Sequence, residues 1–259
     1  DVYALSLVPP LSSGLPPTAA EIAPLTLDRY GYPPQFLLLP LVVDGLVPDF
    51  GSWRAAWFAL NALLVAGVRW QMARWLPGRA GVVLLLVLPA SWGLSLLVFQ
   101  IGNVHLLVEV AAVLAMMAAH HGRAGRAGAL LGWATLAKIA PGLLGVVLLV
   151  QRRWRAAAAT FAWAMALSLI SLAILGPGPF EAFVTVHLPG ISSGAAYDFL
   201  DQDRAQIFQN LSPFAIPFKL ESMGLALDPW AWGPRLSTAF TLGVVALTVV
   251  GALRARGRQ

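Results

Sequence analysis

Apolar residues run along this chain in long unbroken blocks, separated by short polar turns that are rich in arginine. The blocks occupy approximately Trp53–Val68, Ala80–Val98, Val104–Ala119, Ala156–Leu175 and Leu236–Leu253. A helix needs roughly 20 apolar residues to cross a hydrocarbon layer about 30 Å thick, and each block approaches that length. None shows the ten-residue alternation of a membrane β-barrel, so the pattern predicts helices, whose backbone groups are satisfied internally. The first block is the shortest, but Trp53 and Trp70 flank it, and tryptophan favours the membrane–water interface. The prediction is an all-α integral membrane protein, a polytopic helical bundle.

A sixth apolar stretch, Ala127–Val150, is long enough for one span but is interrupted by Lys138 and Pro141. Proline lacks an amide hydrogen and disfavours helical geometry in the residue before it, so a break at this point is expected. Arginines decide how the stretch is threaded. They cluster at Arg69/Arg74/Arg79, Arg123/Arg126, Arg152/Arg153/Arg155 and Arg254/Arg256/Arg258, and the positive-inside rule assigns each cluster to the cytoplasm. The second and third clusters share a side only if 127–150 enters and returns as a re-entrant or broken helical hairpin. One continuous kinked helix is the alternative, and it would leave an arginine cluster outside. Acidic residues favour the hairpin: of 12 Asp and Glu, 11 lie in Asp1–Asp49 or Glu181–Asp228, on the opposite side from the arginines, and only Glu109 falls in a span.

The domain reading follows. Residues 1–52 form an extracytoplasmic loop in which Tyr32–Val47 reads as a surface helix. Residues 53–176 form a transmembrane bundle including the hairpin at 127–150. Residues 177–235 form a second extracytoplasmic loop, whose aromatics argue for order. Residues 236–259 form the last transmembrane helix and a cytoplasmic tail. The chain begins at Asp1 without a preceding span, and the reading expects an N-terminal helix upstream.

Composition agrees. Hydrophobic residues make up 58% and charged residues 11%, with a mean hydropathy of +0.74, whereas soluble domains carry about 25% charged residues. A pI near 10.2 would suit nucleic acid, but the basic residues sit in turns where topology accounts for them, so no nucleic-acid partner is expected. Arginine outnumbers lysine 15 to 2, a bias that fits a bacterial source, and cysteine is absent. No Walker loop, HExxH, GxSxG or CxxC sequence occurs, which removes support for soluble nucleotide or protease chemistry.

Few residues remain to carry chemistry. The short outer turn Phe99-Gln100-Ile101-Gly102-Asn103, followed by His105, offers amides on a glycine bend. Gln100 and Asn103 read either as a hydrogen-bonding ledge for a polar ligand or as helix caps. Lys138 is an ionisable group at membrane depth, which costs about 2.5–3.5 kcal/mol on insertion scales and marks function by default. It would hold a phosphate, or else snorkel to water or pair with Glu109. His105 and Glu109 share a helical face, yet two ligands do not make a metal site, so no metal is predicted. Asp198, Asp201 and Asp203 precede Gln209-Asn210-Leu211-Ser212 and read as a cation or sugar site or as a solvated acidic turn.

Tyr32-Pro33-Pro34, Gln100-Ile101-Gly102-Asn103-Val104, the Lys138-Ile-Ala-Pro141 break and Arg152-Arg153-Trp154-Arg155 occur in that order. The array resembles glycosyltransferase family 87, the polyprenol-phosphate-mannose-dependent mannosyltransferases of the GT-C superfamily. There the pattern reads approximately YPP, GQ-x-N, K-x-x-P, R-R-W and an outer N-Q-S segment, for which Asn210-Leu211-Ser212 stands here. The resemblance covers roughly residues 28–219. Gly-Asn replaces the usual Gly-Gln, and His105 stands near the family's Asn.

The resemblance implies a GT-C-like bundle in the inner (plasma) membrane with its active face extracytoplasmic. It implies inverting transfer of a sugar, mannose in that family, from a polyprenyl-phosphate donor to a glycolipid or glycan acceptor. Partners would be membrane lipids, the polyprenyl-phosphate-linked sugar and that acceptor. No cofactor is required, and dependence on a divalent metal is left open. Lys138 and His187 would contact the donor phosphate, and Tyr32, Gln100, Asn103, His105, Asn210 and Ser212 the sugar or acceptor. The catalytic aspartate of similar enzymes follows the first span, which is expected upstream of residue 1. Asp1 and Asp28 are the only candidates within the chain, and the catalytic residue is unassigned. A lipid-carrier flippase or transporter built on the same broken hairpin, or a non-catalytic membrane assembly subunit, are the competing readings.

Overall fold

In the computed structural model, which describes residues 32–44, 46, 49–76, 78–83, 104–193, 207–208, 210 and 212–256, every element among the described residues is helical. The chain divides into two packing units, Gln35–Ser171 with Gly251–Gln259, and Asp1–Pro34 with Leu172–Val250.

The first unit opens with a 3-10 turn, Pro34–Leu37, and α1, Leu38–Asp44. This is shorter than the surface helix expected over Tyr32–Val47. Next is α2, Phe50–Trp75, longer at both ends than the apolar block that predicts it. Its start is set by Asp49, whose carboxylate accepts from the Ser52 amide at 2.9 Å, satisfying a donor that the helix itself cannot. Its end comes just before Pro77. The expected span Ala80–Val98 is described only to residue 83.

Helices α3 (His105–His120) and α4 (Ala124–Ala137) are joined by a tight turn. Gly122 adopts φ +72° there, and the Arg123 and Gly122 amides donate to Ala118 and Ala119 carbonyls at 2.8 and 3.1 Å. That bond pair is a Schellman cap, which needs a left-handed residue at this position. The interface is built from small side chains: Ala115, Ala119, Ala127, Leu131, Leu148 and Ala156 form one buried cluster. Val65, Val68 and Val110 seal α2 against α3.

At Lys138 the backbone leaves the helix (φ −155°, ψ 127°). A 3-10 turn, Ala140–Gly142, then leads into α5, Leu143–Val150. The chain doubles back here rather than continuing. A Cβ on Gly142 would lie 3.0 Å from the Thr135 methyl group seven residues earlier, a distance that a continuous helix cannot give. Leu148 packs into the same cluster as Leu131, and the Arg153 guanidinium donates to the Ala119 carbonyl at the end of α3. The Arg123/Arg126 and Arg152/Arg153/Arg155 turns therefore lie at one end, and Lys138 at the other.

From this end rises α6, Trp154–Leu175, which approaches α4 through its glycines. A Cβ at Gly128 would fall 2.5 Å from the Ala159 carbonyl carbon, and one at Gly132 2.9 Å from the Thr160 oxygen. Small residues four apart permit this close backbone approach between membrane helices.

In the second unit, the region expected as a loop is partly helical. Helix α7 (Gly178–Ala182) passes through one π turn, Phe183–His187, into α8 (Leu188–Ser193). Further on, a 3-10 turn at Pro213–Ala215 leads to α9, Ile216–Ser222. Ile207, Phe214, Ala215 and Phe218 pack with Trp230, the Phe218 and Trp230 rings meeting edge to face at 5.0 Å. Tyr197 and Phe199 lie outside the described residues. The last helix, α10, is Pro229–Arg256, seven residues longer at its start than the apolar block. Asp228 accepts from the Ala231 amide at 3.1 Å, and Pro229 suits the first helical position.

Helices α6 and α10 contain the stretches long and apolar enough to cross a bilayer, Trp154–Leu175 and Pro229–Ala255, and their most apolar windows are only 6% buried. A core helix of a soluble protein would be covered by its neighbours. These two present their side chains outward, as contact with lipid requires.

Candidate functional site

Lys138 terminates α4, where its amide closes the helix on the Ala134 carbonyl at 2.9 Å. Its extended backbone swings the side chain off the helix toward the start of α3. There the ammonium meets the His105 imidazole, 3.2 Å from Nδ1 and in contact with Nε2. His105 is the first residue of α3 and is half-buried beside buried Val104 and Val108. Two residues 33 positions apart are thus joined by the hairpin tip. The imidazole offers the ammonium a hydrogen-bond acceptor and no opposing full charge. Glu109 stands one turn farther along α3, exposed, and acts on Lys138 electrostatically.

A groove of about 230 Å3 runs beside this tip, lined by Trp133, Leu136 and Ala137 of α4, Leu167 of α6 and residues of α1 and its preceding turn. It is almost wholly apolar. Its polar exception is Gln35, whose amide nitrogen donates to the Ser168 hydroxyl at 2.9 Å, while its Oε1 is buried without a hydrogen-bond partner. The sequence reading passed over Gln35 and Ser168. A glutamine placed directly after Tyr-Pro-Pro, where an apolar helix begins, was the available signal.

The other expected residues are distributed as follows. Gln100, Asn103, Asp1 and Asp28 lie outside the described residues, as do Asp198, Asp201 and Asp203. Tyr32 belongs to the second unit, as do His187, Asn210 and Ser212. His187 closes the π turn with its ring 5.4 Å from that of Phe183, and its Nε2 is buried without a partner. Asn210 Oδ1 accepts from the Ser212 amide at 2.9 Å, so that oxygen shapes the turn into Pro213–Ala215. Among the described residues, no three His, Asp or Glu side chains gather where they could hold a metal ion.

The family profile described as glycosyltransferase family 87 matches residues 30–259. The chain belongs to glycosyltransferase family 87. That match covers both packing units, and it includes the hairpin that carries Lys138. Comparison with curated proteins returned no match, and neither did comparison with solved structures. Membership makes the protein a membrane glycosyltransferase. Within the family-87 chain, the hairpin tip brings the Lys138 ammonium and the His105 ring together next to an apolar groove.

Proposed function

We propose that this glycosyltransferase takes a sugar, mannose by family resemblance, from a polyprenyl phosphate and passes it to a glycolipid or glycan hydroxyl on the extracytoplasmic side. The observation that carries the reading is the position of Lys138 at the hairpin tip, against His105 and beside the apolar groove. Helix α4 has 14 residues, so it raises Lys138 about 21 Å above the arginine-rich turns. If those turns sit at the inner edge of a hydrocarbon layer about 30 Å thick, the ammonium lies about 10 Å below the outer edge. The donor phosphate would have to enter the cavity to about that depth to meet the ammonium, and the apolar groove suits the isoprenoid chain behind it.

In the proposed reaction the acceptor hydroxyl oxygen forms a bond to the anomeric carbon from the side opposite the phosphate. The bond between that carbon and the phosphate oxygen breaks, its electron pair leaves with the polyprenyl phosphate, and the configuration inverts. The hydroxyl proton passes to a carboxylate. Asp1 and Asp28, the candidates in this chain, lie outside the described residues. Lys138 stabilises the negative charge that grows on the leaving phosphate, where a preorganised cation acts most strongly. His105 holds the ammonium in place. Tyr32, Gln100, Asn103, His187, Asn210 and Ser212 remain proposed contacts to sugar, phosphate or acceptor.

The test is transfer of radiolabelled mannose from polyprenyl phosphate by the full-length protein in proteoliposomes. Lys138→Ala should lower the rate by about 10²–10³-fold with the folded yield unchanged, while Lys138→Arg keeps part of it. An unchanged rate in Lys138→Ala removes the lysine from the reaction. Use of a nucleotide sugar instead of the lipid-linked one overturns the donor class, and lipid movement without sugar transfer supports the carrier reading.

A further inference from the structure

The opposite end of the hairpin holds a second cavity. A cavity of about 480 Å3 opens where α5 turns into α6, lined by Ala119, Gly122, Ala124, Ala156 and the run Arg152-Arg153-Trp154-Arg155. Arg153 is committed to the Ala119 carbonyl. Arg152 and Arg155 are exposed at the rim, and Trp154 beside them is 60% exposed. The floor is made of alanine and glycine. The start of α6 faces the same turn and adds the positive end of a 22-residue helix.

Two observations single out this rim. Between Asp49 and Glu181 the chain carries nine arginines and a single acid, Glu109, and Glu109 lies ten residues along α3 from Ala119, about 15 Å away. Arg152, moreover, occupies a backbone position that disfavours it. Its φ is 57°, and its amide and that of Arg153 donate to Leu149 and Leu148 carbonyls at 2.9 and 2.8 Å. This is the same Schellman cap that ends α3, where the equivalent residue is Gly122. Glycine takes the left-handed conformation without a Cβ penalty, and arginine does not. The chain therefore bears backbone strain to keep a guanidinium at this rim, and strain of this kind gathers where a side chain is needed.

We propose that this cavity binds the phosphodiester headgroup of an anionic phospholipid from the leaflet opposite Lys138, with Arg152 and Arg155 on the phosphate and Trp154 at the headgroup level. Basic pockets between membrane helices hold such headgroups, and tryptophan anchors at the same depth. A soluble anion would gain nothing from the exposed tryptophan or from the alanine and glycine floor. The proposal is independent of the transfer reaction.

Native mass spectrometry of the full-length protein with phosphatidylglycerol, phosphatidylcholine or inorganic phosphate tests it. The wild-type protein should retain phosphatidylglycerol and not phosphatidylcholine. Arg152→Gln with Arg155→Gln should weaken retention by about thirtyfold, since a direct hydrogen bond to the phosphate contributes about fivefold for each residue. The charge-matched pair Arg254→Gln with Arg258→Gln should stay within about twofold of wild type. Arg152→Gly gives the decisive pattern: thermal stability rises because the strain is removed, while phosphatidylglycerol retention falls about fivefold. Equal losses in the two double variants reduce the effect to general surface charge and overturn the site. Stabilisation by inorganic phosphate equal to that by phosphatidylglycerol overturns the lipid, and a fall in stability of Arg152→Gly overturns the strain argument. Should the double variant aggregate, the single Arg155→Gln variant carries the same expectation at about fivefold.

Discussion

Two aspartates set where long helices begin, and each does so by accepting a hydrogen bond from a backbone amide that has no partner within the helix. Asp49 caps α2 through the Ser52 amide, and the hydrogen bonds from Ser52 hold its carboxyl below the ordinary value of 3.8. A group whose folded pKa is depressed stabilises the folded state above its unfolded pKa, and that contribution is lost as the pH falls through the folded value. Amide hydrogen exchange at residues 52–54 should therefore slow as the pH rises through 3.8 and stay level above about pH 5, once the intrinsic rate is corrected for. In Asp49→Asn the amide cap persists while the charge does not, so the corrected exchange should be flat across that range. A flat profile in the wild-type protein would mean that the carboxylate is not the cap. Lys138 presents the opposite case, a charge kept where the bilayer penalises it. An imidazole rather than a carboxylate is in contact with it, and Glu109 one turn away acts on it only at longer range.

Helix α4 is held by what its glycines lack. A methyl group at Gly128 would be driven into the Ala159 backbone, and one at Gly132 into the Thr160 oxygen. Gly128→Ala or Gly132→Ala should thus destabilise the protein by about 1–3 kcal/mol, read as a lower midpoint of thermal unfolding in detergent. Gly125→Ala, where nothing lies within 4 Å, should leave the midpoint unchanged or raise it through helix propensity. A shift of equal size at Gly125 would show that the α4–α6 approach is not the cause. This packing was not legible in the sequence, because a glycine in an apolar run does not say which helix comes near it. The helices themselves were legible, since unbroken apolar blocks and arginine turns carry their own signal. Their starts were misplaced, to 53 rather than Phe50 and to 236 rather than Pro229, because apolarity was followed and the Asp49-x-x-Ser52 and Asp228-Pro229 start signals were not. Lys138 is conspicuous in the sequence as a lone charge in an apolar stretch. Gln35, Ser168 and the strain at Arg152 are not, because partners distant in sequence and a backbone angle leave no trace in residue order.

Within the first unit the hairpin separates two ends, the arginine-rich turns at one and Lys138 at the other. Arg126 and Arg155 stand at one end and Ile139, 57% exposed at the tip, at the other. The chain has no cysteine, so single cysteines report without background. A membrane-impermeant maleimide added to intact cells should label Ile139→Cys and spare both Arg126→Cys and Arg155→Cys, and inverted vesicles should reverse the pattern. A continuous helix through 127–150 would instead put Arg126 and Arg155 on opposite faces, so that one of the two is labelled from outside. Labelling of Ile139→Cys only from the cytoplasmic side would leave the hairpin standing but remove the route by which an extracytoplasmic donor phosphate reaches Lys138. Arginines that share a leaflet with anionic lipid each gain from the surface potential, by about 1 kcal/mol. The four arginines of the two hairpin-end turns that are not committed to a carbonyl therefore favour the inward orientation together, by more than the roughly 3 kcal/mol that burying Lys138 costs. On the proposed reading, that surplus offsets the cost of keeping Lys138 at membrane depth.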